Sequence, residues 1–238
     1  MYTFDSKVRY SEMDQNGKLS IPSIVNYFQD CSTFQCERMG IGLQYYKDQG
    51  KTWMLAHWHI ILDQAALLED EIEIATWPHS FDRSFGYRSY YMKSAGTFVA
   101  RADSKWLLFD RQKGRPVRIE PEDMEIFEPE LSPKLQMEGH DGRLRMPKEY
   151  EEKDVLTVRH FLLDTNGHVN NEKYIMIAME YVPKELNVHE VIVEYKKQAV
   201  LGSRMKICTS WVEHGVLVSL MDEEETGPYA LVEFLEDF

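Results

Sequence analysis

The residues with the clearest chemical potential lie in the run from Asp164 to Asn171, which reads DTNGHVNN. A histidine near a carboxylate and an amide is suited to general-base chemistry, because the imidazole pKa lies close to neutrality. The same residue types also form ordinary turns and helix caps, since Asn-Gly is a common turn dipeptide and asparagine often precedes a helix. Taken alone, the run therefore favours a turn before a helix over a catalytic group.

An internal repeat supplies a comparison for this run. Residues 8–17 align with residues 158–167 with five identities in ten positions. Residues 64–67 then match residues 198–201 in the same order. Two matches that follow each other in this way predict a duplicated domain.

The two copies differ at the histidine. Both keep an Asp-x-Asn-Gly turn, but the first copy has Lys18 and Ser20 where the second has His168 and Asn170. A residue needed only for the turn would be expected in both copies. The difference therefore favours a functional role for His168, as a general base at the amino end of a helix. The other histidines are interpreted as surface or core residues: His57, His59, His79, His140, His160, His189 and His214.

Each copy predicts the same order of elements, namely a short extended segment, the turn, a helix and several antiparallel strands, which is an α+β architecture. The first helix begins near Ser20, with Pro22 in its first turn, and runs towards Gly40. The second begins near Asn170 and runs to about Tyr181. Strand-like alternation covers residues 70–77, 85–93, 98–110, 188–195, 205–212, 216–221 and 229–235.

The net charge of −13 is distributed unevenly along the 238 residues. Residues 1–119 carry 14 acids and 15 bases, residues 120–154 carry 12 acids and 5 bases, and residues 155–238 carry 14 acids and 7 bases. The middle part also holds four of the nine prolines and has no sustained periodicity. We therefore predict two domains, over 1–119 and 155–238, joined by an acidic linker over 120–154.

The composition argues against several classes of protein. An excess of 40 acids over 27 bases disfavours nucleic-acid binding, which needs a basic surface. The longest apolar stretch, residues 53–62, is too short for a membrane span, and the first residues do not predict a signal peptide. The three cysteines lack CxxC spacing and predict neither disulfides nor a zinc site, so we expect a cytoplasmic location with no metal and no other cofactor.

Residues 163–174, which read LDTNGHVNNEKY, resemble the signature of the acyl-acyl carrier protein thioesterases. Residues 194–197 resemble the basic strand that follows it in that family, and residues 75–78, 104–106 and 115–119 resemble further landmarks. The resemblance implies two tandem hotdog domains, each a long helix wrapped by an antiparallel β-sheet. It also implies hydrolysis of fatty acyl thioesters on acyl carrier protein, with the acyl-chain pocket mainly in the first domain and the catalytic residues in the second.

Carried over by position, the catalytic residues that the resemblance implies are Asp164, Asn166 and His168. The family pattern continues with an acidic residue and, in plant members, a cysteine, where this chain has Gln198 and Ala199. Alanine cannot act as a nucleophile, and glutamine can position a water molecule but cannot take its proton. We therefore predict that water attacks the thioester and that His168 accepts its proton.

In this mechanism the thioester carbonyl lies against the N–H groups of Val169 and Asn170 at the start of the helix. Asp164 and Asn166 hold the water and the imidazole in place. A direct nucleophilic attack by Asp164, through an anhydride, is the alternative.

The densest basic stretch, residues 111–118, allows two interpretations. As ordinary surface, it is a solvated turn at the end of a strand. As a functional surface, Arg111, Lys113 and Arg115 form a docking patch for the acidic carrier protein.

Three other functions are open beside hydrolysis of acyl-acyl carrier protein. They are an acyl-coenzyme A thioesterase, a hotdog dehydratase and a non-catalytic module that binds acyl thioesters, the last because Gln198 replaces an acid. Since tandem copies supply an internal pair of domains, we expect either a monomer or a homodimer.

Overall fold

A computed structural model describes residues 1–138, 143–224 and 226–237. The chain divides into two compact units, Met1–Ala56 with Leu62–Glu138 and His57–Ile61 with Gly139–Phe238. Positions 139–142 of the predicted linker, including His140, lie outside the described residues.

The predicted linker over residues 120–154 is divided between the two units. Its first part is tied to the first unit by Glu130, whose carboxylate accepts hydrogen bonds from Gln35 Nε2 and Arg38 Nη2, each at 2.9 Å. These contacts explain why residues 120–138 belong to the first unit, where the sequence places a separate linker.

The first unit is built around a helix and an antiparallel sheet. Strands β1, β3, β4 and β5 pair in that order, and the short β6 pairs with the end of β5. The elements from the amino terminus are β1 (Tyr2–Lys7), α1 (Ile21–Arg38), α2 (Leu43–Asp48), β2 (Lys51–Leu62), β3 (Glu71–Asp82), β4 (Phe85–Ser94), β5 (Thr97–Asp110), β6 (Arg115–Pro116) and α3 (Pro121–Glu125).

Helix α1 begins where its capping signals predict. The Ser20 hydroxyl accepts a hydrogen bond from the Ser23 N–H at 3.3 Å, and Pro22 occupies the first turn, where its missing N–H carries no cost. Ile24 and Phe28 are buried on the face that packs towards the sheet. The predicted first helix is therefore confirmed.

The second unit repeats this arrangement. Residues 57–61 of β2 pair with β8, and β8, β11, β10, β9 and β7 follow in antiparallel order. Its remaining elements are β7 (Glu151–Thr157), α4 (Asn171–Met179), β8 (Val188–Tyr195), β9 (Arg204–Val212), β10 (Gly215–Asp222) and β11 (Pro228–Glu236).

Aliphatic side chains fill the interior of the second unit. On α4, Ile175 and Ala178 are fully buried, and the helix packs against β10 and β11. One cluster of buried residues comprises Leu144, Ile192, Leu217, Leu231 and Leu235. The helix runs from the predicted start at Asn170 but ends at Met179, two residues before the predicted end.

Each unit thus sets a helix against an antiparallel sheet, which confirms the predicted α+β class. All seven predicted strands are present, with bounds that differ by a few residues. The sequence does not predict β2, because residues 58–61 are buried in succession and lack the alternation of a half-exposed strand. None of the helices within the described ranges has the length and apolar character needed to cross a bilayer.

Candidate active site

The predicted catalytic run forms a tight loop in the second unit, between a single turn of 3-10 helix and α4. Its centre is Asp164, whose Oδ1 accepts hydrogen bonds from the N–H of Asn166 at 2.8 Å and the N–H of His168 at 3.0 Å. Gly167 has a φ of 79°, a left-handed conformation that favours glycine. The Asp164 N–H also donates to the His168 carbonyl at 2.7 Å, so the loop is closed by its own backbone.

The first unit contains the same loop without the histidine. Asp14 Oδ1 accepts from the N–H of Asn16 at 2.8 Å and from the N–H of Lys18 at 3.0 Å. Gly17 has a φ of 74°. The geometry that the two units share shows that aspartate, asparagine and glycine build the turn in both, and that the turn does not need His168.

The His168 side chain is half-buried, and its ring makes no hydrogen bond within the residues that the structure describes. The Asp164 carboxylate contacts the main chain of His168, where the sequence predicts a contact with the imidazole. Asn166 is exposed, and its Nδ2 donates to Asp164 Oδ2 at 3.4 Å. The structure therefore brings the three predicted residues onto one loop, with Asp164 fixing the backbone from which the imidazole projects.

The two predicted backbone donors to the substrate are already engaged. The Val169 N–H donates to the Ala199 carbonyl, and the Asn170 N–H donates to the Leu162 carbonyl, both at 2.9 Å. Neither N–H is available to a thioester oxygen in this conformation, which corrects the predicted oxyanion site. Asn170 serves as the helix cap, because its Oδ1 accepts from the Glu172 N–H at 3.3 Å.

Gln198, at the position of the family acid, lies on a segment that is hydrogen-bonded to the loop. His168 pairs with Val200 in an antiparallel bridge, and the Ala199 N–H donates to the Tyr174 hydroxyl at 3.0 Å. The Gln198 side chain is exposed, whereas Ala199 is fully buried. The segment is therefore held beside the motif through the main chain of Ala199 and Val200, the two residues that follow Gln198.

The hydrogen bonds of this segment also correct the predicted repeat. In the first unit the Leu19 N–H donates to the Ala66 carbonyl at 2.8 Å, just as the Val169 N–H donates to the Ala199 carbonyl. Ala66 is therefore the structural counterpart of Ala199. The sequence match pairs Ala65 with Ala199 and is one residue out of register.

Two tyrosines that the sequence interpretation omits support the loop. Burial raises the pKa of Tyr174 to about 12 and also raises the pKa of Tyr195, so both remain neutral phenols at physiological pH. The Tyr195 hydroxyl donates to the Asn171 carbonyl at 2.9 Å, and the two rings meet edge to face at 5.7 Å. Tyr174 is the last residue of the signature run 163–174. That position is the sequence signal by which its supporting role could have been predicted.

Two other histidines have largely buried side chains that pair with carboxylates in the described chain. His59 Nε2 lies 2.7 Å from Glu190 Oε1, and both side chains are buried. His79 Nε2 lies 2.9 Å from Asp103 Oδ1. These pairs agree with the interpretation of both histidines as structural residues and distinguish them from the unengaged ring of His168.

The basic stretch follows β5 in the first unit. Arg111, Lys113 and Arg115 are all exposed, and Lys113 Nζ lies 3.1 Å from Asp110 Oδ2. Asp110 Oδ1 also accepts from the Lys113 N–H at 2.9 Å, so it stabilises the turn. Arg111 and Arg115 have no ion-pair partner within the described chain, and their charges face solvent.

Profiles of two protein-family domains match this chain. The profile of the acyl-ACP thioesterase N-terminal domain matches residues 1–127, and that of the acyl-ACP thioesterase C-terminal domain matches residues 145–229.

The chain is also similar to plant proteins along most of its length. The chloroplastic oleoyl-acyl carrier protein thioesterase 2 of Arabidopsis thaliana is 25% identical over 213 residues, covering 80% of this chain and 58% of that protein. A chloroplastic acyl-[acyl-carrier-protein] hydrolase of Cuphea viscosissima is 23% identical over 222 residues, covering 85% of this chain and 53% of that protein. The chain thus spans little more than half the length of these relatives.

Two solved structures share the fold. An acyl-ACP thioesterase from Bacteroides thetaiotaomicron aligns with a TM-score of 0.88 at 18% identity, covering 98% of this chain and 96% of that chain. The 12:0-ACP thioesterase from Umbellularia californica aligns with a TM-score of 0.85 at 17% identity, with the same coverage of 98% and 96%. These similarities confirm the predicted fold of two tandem hotdog domains.

Proposed function

The chain belongs to the acyl-ACP thioesterase family, and we propose that it hydrolyses fatty acyl thioesters carried by acyl carrier protein. The products are a free fatty acid and the carrier thiol, a reaction of fatty acid biosynthesis. The observation that carries the proposal is the difference between two loops of matching geometry. Both have the aspartate-bound turn, and the second has His168 where the first has Lys18.

The proposed chemistry follows from the surroundings of the His168 imidazole. A half-buried ring that the described residues leave unengaged is suited to accept a proton from water. The water oxygen bonds to the thioester carbonyl carbon while its proton passes to His168. The carbon–sulfur bond then breaks, and sulfur leaves with the electron pair, since a thiol pKa of about 8.5 makes a strong general acid unnecessary. Asp164 and Asn166 keep the loop, and hence the imidazole, in place.

The proposed acyl donor is the carrier protein. The two plant relatives are named for substrates on acyl carrier protein, and Arg111 and Arg115 present positive charge that no described residue pairs. A basic surface steers an acidic partner during diffusional encounter. Both observations support a protein-bound thioester over free acyl-coenzyme A.

The test is an assay of thiol and fatty acid release from acyl carrier protein and coenzyme A thioesters of several chain lengths. We expect turnover by the parent protein and a loss of about 100-fold or more in kcat for His168→Ala. The matched control is Lys18→Ala, at the equivalent position of the first loop, which should retain parental kcat. The thermal midpoint should change little in either variant, because neither position is fully buried.

Other outcomes identify the alternatives. Tight binding of acyl thioesters without thiol release by the parent protein would indicate a binding module. Loss of water from a 3-hydroxyacyl thioester would indicate a dehydratase, and turnover confined to coenzyme A thioesters would indicate the other thioesterase class.

We also propose a cytoplasmic location. It is supported by the three cysteines, Cys31, Cys36 and Cys208, which are all free thiols in the structure. Fractionation of cells that express the full protein at its natural level would test it.

A further inference from the structure

Glu172 is a buried carboxylate beside the catalytic loop. It is the second residue of α4, a helix of nine residues, and only 4% of it is exposed. Its Oε1 lies 2.7 Å from Lys173 Nζ. Its Oε2 is buried and has no hydrogen-bond partner within the described residues. A buried carboxylate oxygen that lacks a partner is costly, and such a group is a candidate binding site for water or a ligand.

Glu172 lies four residues after His168, in the first turn of the helix that the loop precedes. Side chains on a helix lean towards its amino terminus, and the amino terminus of α4 is the end that carries His168. The Glu172 N–H is itself bonded to the Asn170 side chain. The carbonyl of the preceding residue, Asn171, accepts a hydrogen bond from the hydroxyl of Tyr195, three residues before Gln198, at 2.9 Å. The first turn of α4, which carries Glu172, therefore follows the catalytic loop directly and is hydrogen-bonded to the segment that leads to Gln198.

The two units differ at the position of Glu172, as they do at the position of His168. Helices α1 and α4 begin at equivalent positions, with Ser20 and Asn170 as their caps. Two residues after the cap, the first unit has Pro22 and the second has Glu172. The helix start does not need a carboxylate at this position, and proline in the first turn is well tolerated.

We propose that Glu172 is a further catalytic residue, which supplies the carboxylate that Gln198 cannot. This inference rests on the proposed thioesterase function. Glu172 Oε2 accepts a hydrogen bond from one hydrogen of the attacking water, while the other proton passes to His168. The water oxygen forms the new bond to the carbonyl carbon, the carbon–sulfur bond breaks, and the sulfur takes the proton from His168. The hydrogen held by Glu172 stays on the product carboxylic acid.

The test uses Glu172→Gln, which preserves size and hydrogen bonding but removes the charge. We expect kcat for acyl-acyl carrier protein to fall by about 100-fold. KM and the Kd of a non-hydrolysable thioether analogue should stay within about twofold of the parent values, because the change affects the water and leaves the acyl group in place. The matched control is Glu180→Gln, an exposed glutamate at the other end of α4, which should leave kcat unchanged.

A second variant distinguishes catalysis from a structural role. Adding Gln198→Glu to Glu172→Gln restores a carboxylate beside the loop, and we expect it to recover at least about tenfold of the lost kcat. A kcat for Glu172→Gln within threefold of the parent value, with His168→Ala inactive, would overturn the role of Glu172 and leave the proposed function intact. A lowered thermal midpoint with unchanged kcat would assign it a structural role instead. Absence of thiol release by the parent protein would overturn both.

Discussion

Asp164 holds His168 through the main chain, with its Oδ1 3.0 Å from the His168 backbone nitrogen. The same oxygen accepts the N–H of Asn166 at 2.8 Å. An oxygen that accepts two backbone hydrogen bonds is committed to shaping the loop, and Asp14 performs that task in the first unit without a histidine nearby in the turn. The relationship favours an orienting role for Asp164 over direct attack on the thioester.

Replacement of Asp164 separates these two roles. Asp164→Asn keeps Oδ1 as an acceptor for both N–H groups, so we expect kcat to stay within about tenfold of the parent value. Asp164→Ala removes both bonds, each worth about 1 kcal/mol or more, and kcat should fall by about 100-fold as the imidazole loses its position. Steady-state kinetics and circular dichroism of both variants provide the measurement.

The alternative makes the opposite prediction. An aspartate that attacks the carbonyl carbon cannot be replaced by asparagine, so Asp164→Asn would be as inactive as His168→Ala. Asp14→Asn is the control, since the first loop has the same hydrogen bonds but no histidine, and its kcat should match that of the parent protein.

Local signals predict much of this structure. Both helix starts follow from their caps, Ser20 and Asn170, because a capping side chain acts on backbone within a few residues of itself. The two turns follow for the same reason, since their hydrogen bonds span four residues or fewer. The loop over residues 164–168 is therefore predictable in outline.

Contacts between distant residues account for what the sequence did not predict. The Val169 N–H is occupied by Ala199, and the Ala199 N–H by Tyr174, through bonds that span 25 residues or more. No local sequence pattern indicates such pairings, so the sequence does not show that the Val169 N–H is already hydrogen-bonded. The burial of Glu172 is likewise set by tertiary packing, because its place in the first turn of a helix is equally compatible with exposure.

Charge reversal tests the docking patch. We expect the double variant Arg111→Glu with Arg115→Glu to raise KM for acyl-acyl carrier protein by about tenfold at low salt, with kcat unchanged. The physical reason is loss of steering between an exposed basic turn and an acidic partner. The effect should shrink as salt approaches about 0.5 M, where charges are screened over a few ångströms.

Two control measurements test whether the change in KM arises from docking of the carrier protein. KM for an acyl-coenzyme A substrate should change much less, because that substrate lacks the protein surface. Lys113→Glu should have a smaller effect than Arg111→Glu alone or Arg115→Glu alone, because Lys113 is already paired with Asp110. An unchanged KM for the carrier substrate at low salt would show that the stretch is ordinary solvated surface.

The segment that carries Gln198 is anchored by an ion pair between Lys197 and Asp222. The Asp222 carboxylate also accepts the Thr226 hydroxyl at 2.7 Å and the Glu224 N–H at 3.2 Å. Hydrogen bonding to Lys197, and then to Thr226, lowers the pKa of Asp222 to about 2. This pair therefore stabilises the ionised form of Asp222 in the folded protein.

The lowered pKa makes the contribution of Asp222 to the stability of the fold depend on pH. Its stabilisation is fully present above the unfolded pKa of about 3.8 and is lost as the pH falls through about 2. Because Lys197 is exposed and solvent screens the pair, Asp222→Asn should lower the thermal midpoint by a few degrees at most at pH 7. That difference should close between about pH 4 and pH 2, whereas Glu224→Gln, at an exposed position of the same turn, should match the parent protein throughout. A difference that persists unchanged at pH 2 would assign the effect of Asp222 to packing, since protonation would then leave it intact.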